Sequence, residues 1–393
     1  MKSTNYIVLT FFIIILLLVI IRYQYENMIN IPPLDSPPKW KTDPKCKYSM
    51  LKIYKEILKK YNIPKGEKRD WVIYFPCSYT NNKKELKRLH LSGKYQRIFV
   101  VSNANEISSK SHLWKNLVKK YGRERAKTMA PTSYILYDKN DLELLKKEYN
   151  QEQLYILKKN IQRQEGIKIT NNLNEMLNGY NNSYVVSQIL LQDPYLIHGR
   201  KINMRFYVLF VCQDNEINVY VHDNGFMYYT RMPFKQGVID EGPNITTGYI
   251  ERWIYKINPL THKDFQKYLD DPNRRLTIPE QKIINSYSTK DGFHIKLSEV
   301  VFDKIYSLIA ETCQAFDGVM CQGSKFENNI TFQLFGVDIA LNNKLHPQII
   351  EFNLGPNLAT FDDQDKEIKY NVVEDIFKIM KVIPGEHNYI RLI

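Results

Sequence analysis

Cysteine is scarce in this chain. It supplies 5 of 393 residues, which are odd in number, widely scattered and never spaced as Cys-x-x-Cys: Cys46, Cys77, Cys212, Cys313 and Cys321. This pattern indicates neither a disulfide framework nor a zinc site. It predicts reduced thiols, as expected for a protein of the cytosol.

Glycine is scarce too, at 16 residues, and the chain has neither a glycine-rich phosphate loop nor an internal repeat. The basic turn at residues 158–167 contains a single glycine, Gly166. Lys158, at the end of a predicted strand, can reach nucleotide phosphates as a compact point charge. A solvated surface loop is the simpler interpretation of this turn when it is considered alone.

A concentrated basic patch is also absent. Lysine and arginine total 55 against 42 acidic residues, and the resulting net charge of +13 predicts an acidic partner. The cations are dispersed and not interleaved with aromatic residues, so nucleic acid is not specifically indicated. An acidic polypeptide fits the charge at least as well as nucleic acid or anionic lipid.

Long apolar runs are limited to one. Residues 6–21 are almost purely apolar, which approaches the roughly 17 to 25 residues that span a bilayer. No small-residue cleavage site follows, so we expect a retained membrane anchor rather than a signal peptide. Only Lys2 precedes the run whereas several basic residues follow it, which predicts a single-pass protein with its C-terminal part in the cytosol. Sequons at Asn181, Asn244 and Asn329 argue weakly for the opposite topology.

Changes of composition along the chain predict four segments. The transmembrane anchor at residues 1–23 is followed by a proline- and lysine-rich linker at 24–48, which we expect to form a semi-extended stalk. Residues 49–150 alternate helical patterns with short apolar strands, which predicts a small α/β domain. Residues 151–390 are richer in strands and form the larger predicted domain. The predicted fold class is therefore α/β, with α+β character.

A predicted hairpin near the C-terminus carries two carboxylates on one face. Two β-rich runs flank a polar turn at residues 343–346, and alternation places Asp338, Glu351 and Asn353 together, with Ile350 on the opposite, core-facing side. Asp338 opposite Glu351 destabilises the sheet unless a positive charge lies between them. Magnesium fits, because it binds one or two carboxylates together with phosphate oxygens. For an isolated hairpin, a solvated outer face remains the alternative.

A second predicted strand, residues 201–210, places Lys201, Asn203 and Arg205 on one face and apolar side chains on the other. Two cations opposite a core match a clamp on phosphoryl oxygens. Structural surface cations are the alternative interpretation.

These motifs, in this order, resemble the ATP-grasp core of the tubulin–tyrosine ligase-like family. The resemblance covers roughly residues 95–385 and rests on seven segments: Ile107–Leu113, Ala130–Leu136, Tyr155–Lys158, Tyr184–Arg205, Phe335–Asp338, Ile350–Asn353 and Asp365–Asp375. Together with the apolar run, it implies an ATP-grasp fold that follows a small α/β domain and an N-terminal transmembrane helix.

Carried over position by position, the resemblance implies four sets of site residues. Those that bind the nucleotide would be Lys158, Gln188, Ile189, Leu190, Lys201 and Asn203. Those that act on the reacting phosphoryl group would be Arg205 and Lys201. The Mg²⁺ ligands would be Asp338, Glu351 and Asn353. The substrate side would include Lys110, Arg231 and Thr246.

The chemistry that the resemblance implies is an amide-forming ligation. ATP, with Mg²⁺, would phosphorylate a carboxylate on an acidic protein tail, with tubulin the family's usual target. The amine of a free amino acid would then displace the phosphate. Such phosphoryl transfer depends on positioning and on electrostatic stabilisation, and it requires no side-chain nucleophile. We expect the protein to act as a monomer.

The chain departs from the family pattern at several positions. Asn203 stands where the family usually has an acid, and Ser187-Gln188 where Gln-Lys is common. Tyr228 replaces an arginine that the family often uses for the carboxylate of the amino acid, a role that Arg231 would take over. The usual Thr-Asn pair is replaced at residues 246–248. These changes leave the identity of the ligated amino acid open.

Two other functions remain compatible with the sequence. An anchor, a stalk, sequons and the Asp363-Gln-Asp365 triplet would suit a lumenal glycosyltransferase with a DxD metal site. A degenerate ATP-grasp domain would instead tether membranes to microtubules through its positive charge. Binding of ATP that depends on magnesium and on Glu351 distinguishes the ligase from the tether.

Overall fold

The computed structural model describes most of the chain, and the following statements concern these residues: 31–34, 37–46, 52–79, 82–161, 166–248, 250–287, 295–323, 325–326 and 328–393. The predicted anchor at residues 1–23 lies outside them. None of the helices in the described ranges combines the length and apolarity that a bilayer span requires.

The elements are numbered in chain order. The strands are β1 (Trp40–Thr42), β2 (Ile73–Phe75), β3 (Arg97–Ile98), β4 (Ser133–Ile135), β5 (Tyr155–Lys158), β6 (Ile167–Thr170), β7 (Val186–Ile189), β8 (Leu196–Ile197), β9 (Arg200–Gln213), β10 (Glu216–His222), β11 (Phe226–Thr230), β12 (Thr246–Thr247), β13 (Ile330–Leu341), β14 (Pro347–Asn353) and β15 (Tyr389–Arg391). The helices are α1 (Lys52–Lys60), α2 (Lys83–Arg88), α3 (Asn105–Ser108), α4 (Lys110–Tyr121), α5 (Arg123–Met129), α6 (Lys139–Glu148), α7 (Leu173–Leu177), α8 (Glu241–Asn244), α9 (His262–Leu269), α10 (Ile278–Tyr287), α11 (Leu297–Gln314) and α12 (Asp363–Ile379). Short 3₁₀ turns occupy Gly179–Asn182 and Arg252–Lys256.

Two sheets organise the described residues. The larger one has the order β1-β2-β3-β13-β9-β10-β15, with β14 paired to β13, β8 and β11 paired to β9, and β12 paired to β11. The smaller one has the order β4-β7-β5-β6. The mixture of long antiparallel strands and covering helices confirms the predicted α/β class and agrees with an ATP-grasp arrangement.

The core lies on both faces of β9 and β13, which pair antiparallel along most of their length. One face of β9, with Phe206, Val208 and Phe210, belongs to the same apolar cluster as α11. The other, with Tyr207, Leu209 and Val211, packs in a cluster with α12. Burying each such side chain contributes roughly 1.5–3 kcal/mol. Two covered faces hold β9 rigidly, so its functional residues have a fixed position.

Strands from the two sides of the predicted boundary at residue 150 pair with one another. β2 and β3 lie in the predicted small domain, yet β3 pairs in parallel with β13, where Arg97 lies beside Ile330. β4 comes from the same segment but pairs with β7 in the smaller sheet. Strands of two or three residues bury too little surface to form a sheet of their own, so they join neighbouring sheets.

The predicted stalk is part of the folded body where the structure describes it. Ile31 is 3% exposed and lies in the apolar core, and the carbonyl of Pro32 accepts a hydrogen bond from the Arg97 guanidinium. β1 pairs in parallel with β2, from Trp40 beside Ile73. The prolines alone predict a stalk. The apolar residues of the segment attach it to the rest of the fold.

The prediction of reduced thiols is wrong for four of the five cysteines. Cys46 is bonded to Cys77, with 5.1 Å between their Cα atoms, and Cys212 is bonded to Cys321, with 5.5 Å between theirs. Cys313 is a buried free thiol. The partners are 31 and 109 residues apart in the sequence, so no local spacing reveals them, and only the tertiary fold brings them together.

Candidate active site

A cavity of about 1240 Å³ opens between the two sheets. Its walls include Lys158 and Gln188 from the smaller sheet, and Arg205, Asp338 and Glu351 from the larger one. Ligand sites commonly occupy 300–1,000 Å³, so this space is larger than a single small-molecule ligand needs. The strands bring basic and acidic groups from distant parts of the chain to one place.

The basic wall of the cavity is built by Lys158 and Lys201. Both residues are buried, and neither ammonium forms an ion pair with a carboxylate in the described ranges. Lys158 Nζ donates to Gln188 Oε1 at 2.6 Å, and Lys201 Nζ donates to the carbonyl of Leu191 at 3.2 Å. These hydrogen bonds orient both lysines without neutralising them.

Burial changes the titration of both lysines. It lowers the pKa of Lys158 to about 8, while Glu351 and Asp338 oppose the change. Burial and the neighbouring Lys158 cation lower the pKa of Lys201 to about 7, with Asp193 opposing. Because a bound phosphate stabilises the charged ammonium, both lysines are suited to bind an anion and to gain protons as they do so.

The acidic wall is already neutralised by cations of the chain. Arg205 forms a bidentate pair with Asp338, with 2.6 Å from Nε to Oδ1 and 2.9 Å from Nη2 to Oδ2. Lys110 Nζ lies 3.6 Å from Glu351 Oε2. The positive charge that we expected between the two carboxylates is therefore supplied in part by Arg205 and Lys110. A magnesium ion is not required to hold this hairpin together.

Charge also sets the protonation of the two acids. Burial raises the pKa of Asp338, and the Arg205 guanidinium opposes this rise. Burial alone would raise the pKa of Glu351 as well, but the cations of Lys110 and Lys158 outweigh it and hold this pKa below its usual range. Glu351 is therefore an ionised carboxylate near neutral pH.

A bulge in the hairpin sets the pairing at the site. Asp338 lies opposite Glu351, as predicted, but Ile339 pairs with Ile349, so Ile350 is the additional residue. Ile349 is buried in the core, whereas Ile350 lines the cavity. The prediction that Ile350 faces the core is wrong, because a regular ladder was assumed and a bulge reverses the facing of the residues beyond it.

The predicted magnesium ligands come together. Asn353 Nδ2 lies 3.1 Å from Glu351 Oε1 and 3.5 Å from Asp338 Oδ2. Two carboxylates and an amide are the oxygen donors that Mg²⁺ binds alongside phosphate. The donor types therefore fit the ion, but the amide nitrogen of Asn353 faces the two carboxylates here. The amide would have to rotate for its Oδ1 to bind the ion, and Asp338 would be shared with Arg205.

Most of the other predicted residues also reach the cavity. Its lining contains Asn203, Ile189, Leu190, Lys110 and Thr246. Among the described residues, none forms a hydrogen bond with the buried Oδ1 atom of Asn203, so this amide is available to a ligand.

Arg231 and Tyr228 differ from what the sequence predicts. Arg231 is exposed and is not among the residues that line the cavity, so the structure does not bring it to the site. Tyr228 does line the cavity, and the Arg205 guanidinium lies 5.2 Å from the centre of its ring. Tyr228 therefore supports Arg205 by a cation–π contact.

Arg252 and Lys369 also line the cavity, and sequence reasoning did not assign either of them to the site. Arg252 pairs with Asp362, and Lys369 Nζ lies 2.9 Å from Asp365 Oδ1. The spacing of Asp365 and Lys369 by four residues on a predicted helix was the available signal for the second pair.

The Asp363-Gln-Asp365 triplet begins α12 and is not an open metal site. Asp362 caps this helix, and Asp365 accepts a hydrogen bond from the Phe361 amide and pairs with Lys369. Acids in the first turn stabilise a helix through its dipole. This structural role accounts for the triplet without a glycosyltransferase site.

The family model for the tubulin-tyrosine ligase family matches residues 88–390. The chain belongs to the tubulin-tyrosine ligase family. The match includes every predicted site residue from Lys110 to Asn353.

Several curated relatives are tubulin-modifying proteins. The chain is 27% identical over 312 residues to a probable beta-tubulin polyglutamylase of Tetrahymena thermophila, which covers 78% of this chain and 26% of that protein. It is 27% identical over 208 residues to the probable tubulin polyglutamylase ttll-9 of Caenorhabditis elegans, and this alignment covers 52% of this chain and 45% of that protein. It is 24% identical over 332 residues to the mouse tubulin polyglutamylase TTLL6, covering 81% and 37%. The chain thus spans less than half the length of these relatives.

Proposed function

We propose that the chain is an ATP-dependent carboxylate–amine ligase, which joins a free amino acid to a carboxylate on an acidic protein through an acyl phosphate. The observation that carries the proposal is the pair of buried lysines, Lys158 and Lys201, which face Asp338, Glu351 and Asn353 across one cavity. An enzyme that binds a magnesium nucleotide needs cations for the phosphates and oxygen donors for the metal in one place.

The residues of the chain divide the work. When bound, ATP supplies the phosphoryl group and Mg²⁺ balances its charge. Lys158 and Lys201 hold the phosphates, and Gln188 keeps Lys158 oriented by its hydrogen bond. Arg205 stabilises the charge that develops on the transferred phosphoryl group, because it is fixed by Asp338 on one side and by Tyr228 below it.

The second substrate, a free amino acid, fits the part of the cavity beside Thr246. Arg252 and Lys369 lie in this wall with Tyr228 and Tyr255. A guanidinium binds a carboxylate in bidentate geometry, so Arg252 takes the role that Arg231 is too exposed to fill. Its partner Asp362 would have to share it with the incoming amino acid.

The acceptor is an acidic protein. The net charge of +13 attracts acidic polypeptides, and the names of the relatives make the tails of tubulin the first acceptor to test. Lys110 lies at the cavity lining, 3.6 Å from Glu351. A cation beside the proposed metal ligands would attract an acceptor carboxylate, which supports the substrate role proposed for Lys110.

Intact-mass analysis tests the proposal. The full-length protein is incubated with ATP, magnesium, brain tubulin and one amino acid at a time. We expect added mass of one or more residues for one amino acid, and no added mass when ATP is omitted or Glu351→Gln is used. If no amino acid adds mass to tubulin or to acidic peptides, the ligase proposal fails.

Membrane anchoring remains a proposal that rests on the apolar run at residues 6–21. We expect the full-length protein to stay with membranes after alkaline carbonate extraction, and a variant lacking residues 1–23 to be released. Release of the full-length protein would contradict the anchor.

A further inference from the structure

The pairing of the cysteines separates this chain from a typical cytosolic protein. Cys46–Cys77 joins the segment after β1 to the cavity wall, where Cys77 is a lining residue. Cys212–Cys321 joins β9 to the segment that follows α11, and both residues are buried. Cys46 and Cys77 follow β1 and β2, whereas Cys212 lies on β9, so the two bonds are at separate places in the fold.

Disulfides of this kind form and persist in oxidising compartments, whereas cytosolic thiols are kept reduced. The remaining cysteine, Cys313, is fully buried, and burial raises the pKa of its thiol. The described residues therefore expose no reactive thiol that could exchange with either disulfide. This is the cysteine usage of a protein that folds outside the cytosol.

The three sequons supply a second, independent observation. Asn181 and Ser183 are exposed, and Asn181 lies on the short turn Gly179–Asn182 at the surface. Such an exposed sequon is what an N-linked glycan requires. The turn lies outside the cavity lining, so a glycan there leaves the proposed active site open.

The other two sequons are not accessible in the folded chain. Asn244 is 2% exposed and donates to the carbonyls of Val238 and Asp240. Asn329 is 5% exposed and accepts a hydrogen bond from the Gln96 amide. A glycan on either residue would break these bonds, so the fold itself selects Asn181.

We propose that the chain is translocated into an oxidising compartment of the secretory pathway, where it carries two disulfides and one N-linked glycan on Asn181. The apolar run at residues 6–21 would direct the translocation, which reverses the orientation expected from the flanking charges. Each disulfide forms by loss of two thiol hydrogens to the oxidising thiol–disulfide machinery of that compartment. The proposal leaves the ligase chemistry unchanged, but its natural acceptor would then be an acidic protein of the same compartment, with tubulin serving only as a test acceptor.

Alkylation tests the disulfides. The full-length chain is expressed in a eukaryotic cell with its own N-terminus, denatured without reductant and treated with iodoacetamide. We expect one modified cysteine, Cys313, and two pairs of peptides joined by a disulfide. Reduction should separate each pair and add the mass of two hydrogens to the pair, one on each cysteine. Five modified cysteines would overturn the proposal. Zinc bound at Cys46, Cys77 and Glu85, whose ligand atoms lie within 4.8 Å of one another, would overturn the first disulfide.

Glycosidase treatment tests the glycan. Treatment of the wild-type protein with peptide N-glycosidase should remove the mass of one glycan and convert Asn181 to aspartate. Asn181→Gln should lose the shift, whereas the matched control Asn182→Gln keeps the sequon and should retain it. Absence of a glycan, or a glycan on Asn244 or Asn329, would overturn the assignment. ATP binding by the same protein tests the ligase separately, so failure of one proposal leaves the other measurable.

Discussion

The two walls of the cavity treat charge in opposite ways. On the acidic wall, Asp338 is paired with Arg205, and Glu351 lies near Lys110. On the basic wall, Lys158 and Lys201 are buried with hydrogen bonds to neutral oxygens. One wall is electrostatically complete without a ligand, and the other is not.

This difference indicates that the buried lysines lower the stability of the fold and favour the binding of an anion. Burying an ammonium without a counter-ion costs free energy, which is why the pKa of each lysine falls. A phosphate that enters between the walls supplies the absent negative charge. The paired acidic wall should therefore respond to mutation by losing stability, and the basic wall by losing ligand affinity.

Arg205→Met should have the largest effect on stability. It leaves Asp338 buried without its partner, and breaking a buried ion pair in this way costs about 3–5 kcal/mol. Urea denaturation measures the loss. Lys146→Met is the control, because the Lys146–Glu143 pair is exposed and should contribute less than about 1 kcal/mol. Equal losses for the two variants would contradict the buried pairing.

Lys201→Met should raise the stability of the folded protein, whereas Arg205→Met should lower it. The folded-state pKa of Lys201 is lowered from 10.5 to about 7, so its burial cost is fully present below pH 7 and disappears above the unfolded pKa. The variant should be more stable than the wild type by on the order of 1–3 kcal/mol at pH 7, while it binds ATP weakly. Because the unfolded state binds more protons between these pH values, wild-type stability should rise with pH and the gap should close.

Chemical denaturation at pH 7 and pH 9.5 tests this sign. If the Lys201→Met protein is less stable than the wild type at pH 7, then Lys201 stabilises the fold, and the account of a lysine that lowers stability until a ligand binds is wrong.

Glu351→Gln should remove the dependence of ATP affinity on magnesium. Loss of one carboxylate ligand should weaken binding at least tenfold with magnesium present, which corresponds to about 1.4 kcal/mol, and should change little without it. Titration calorimetry measures both values. Glu143→Gln is the matched control, since Glu143 lies on the exposed face of α6. An equal loss without magnesium would show that Glu351 acts by another route.

The smallest contrast concerns two arginines. Arg252→Ala should raise the KM for the amino acid about tenfold, because Arg252 lines the cavity, whereas Arg231→Ala should change it less than about twofold. Steady-state assays with a fixed acceptor compare the two. The reverse order would restore the assignment of Arg231 that the sequence suggested.

Local patterns were enough to predict the hairpin. The alternation that put Asp338 opposite Glu351, and Lys201 on the same strand face as Arg205, is a property of neighbouring residues. The β13–β14 pairing confirms the first prediction, and both Lys201 and Arg205 line the cavity. The bulge at Ile350 was not predictable, because it depends on how β14 packs against the core and not on a turn residue. The pairing of Arg205 with Asp338 depends on β9 and β13 becoming neighbours, 133 residues apart.

Long-range features were the ones that sequence reasoning missed. The prolines around Ile31 predict a spacer, yet Ile31 packs in the core and β1 pairs with β2. The cysteines were judged by spacing, yet their partners are brought together by sheet order. A single sequence shows neither kind of contact, because both depend on where distant strands finally lie.

Proton uptake on ATP binding tests the central claim most directly. Calorimetric titrations of the wild-type protein with magnesium and ATP at pH 8, in two buffers of different ionisation enthalpy, report the protons bound with the nucleotide. We predict uptake of between one and two protons at pH 8, where Lys158 is about half charged and Lys201 is mostly neutral, and almost none at pH 6, where both lysines are already charged. Binding with equal heats in both buffers at pH 8, or no binding at all, would contradict the account, and the second result would favour a tether without catalysis.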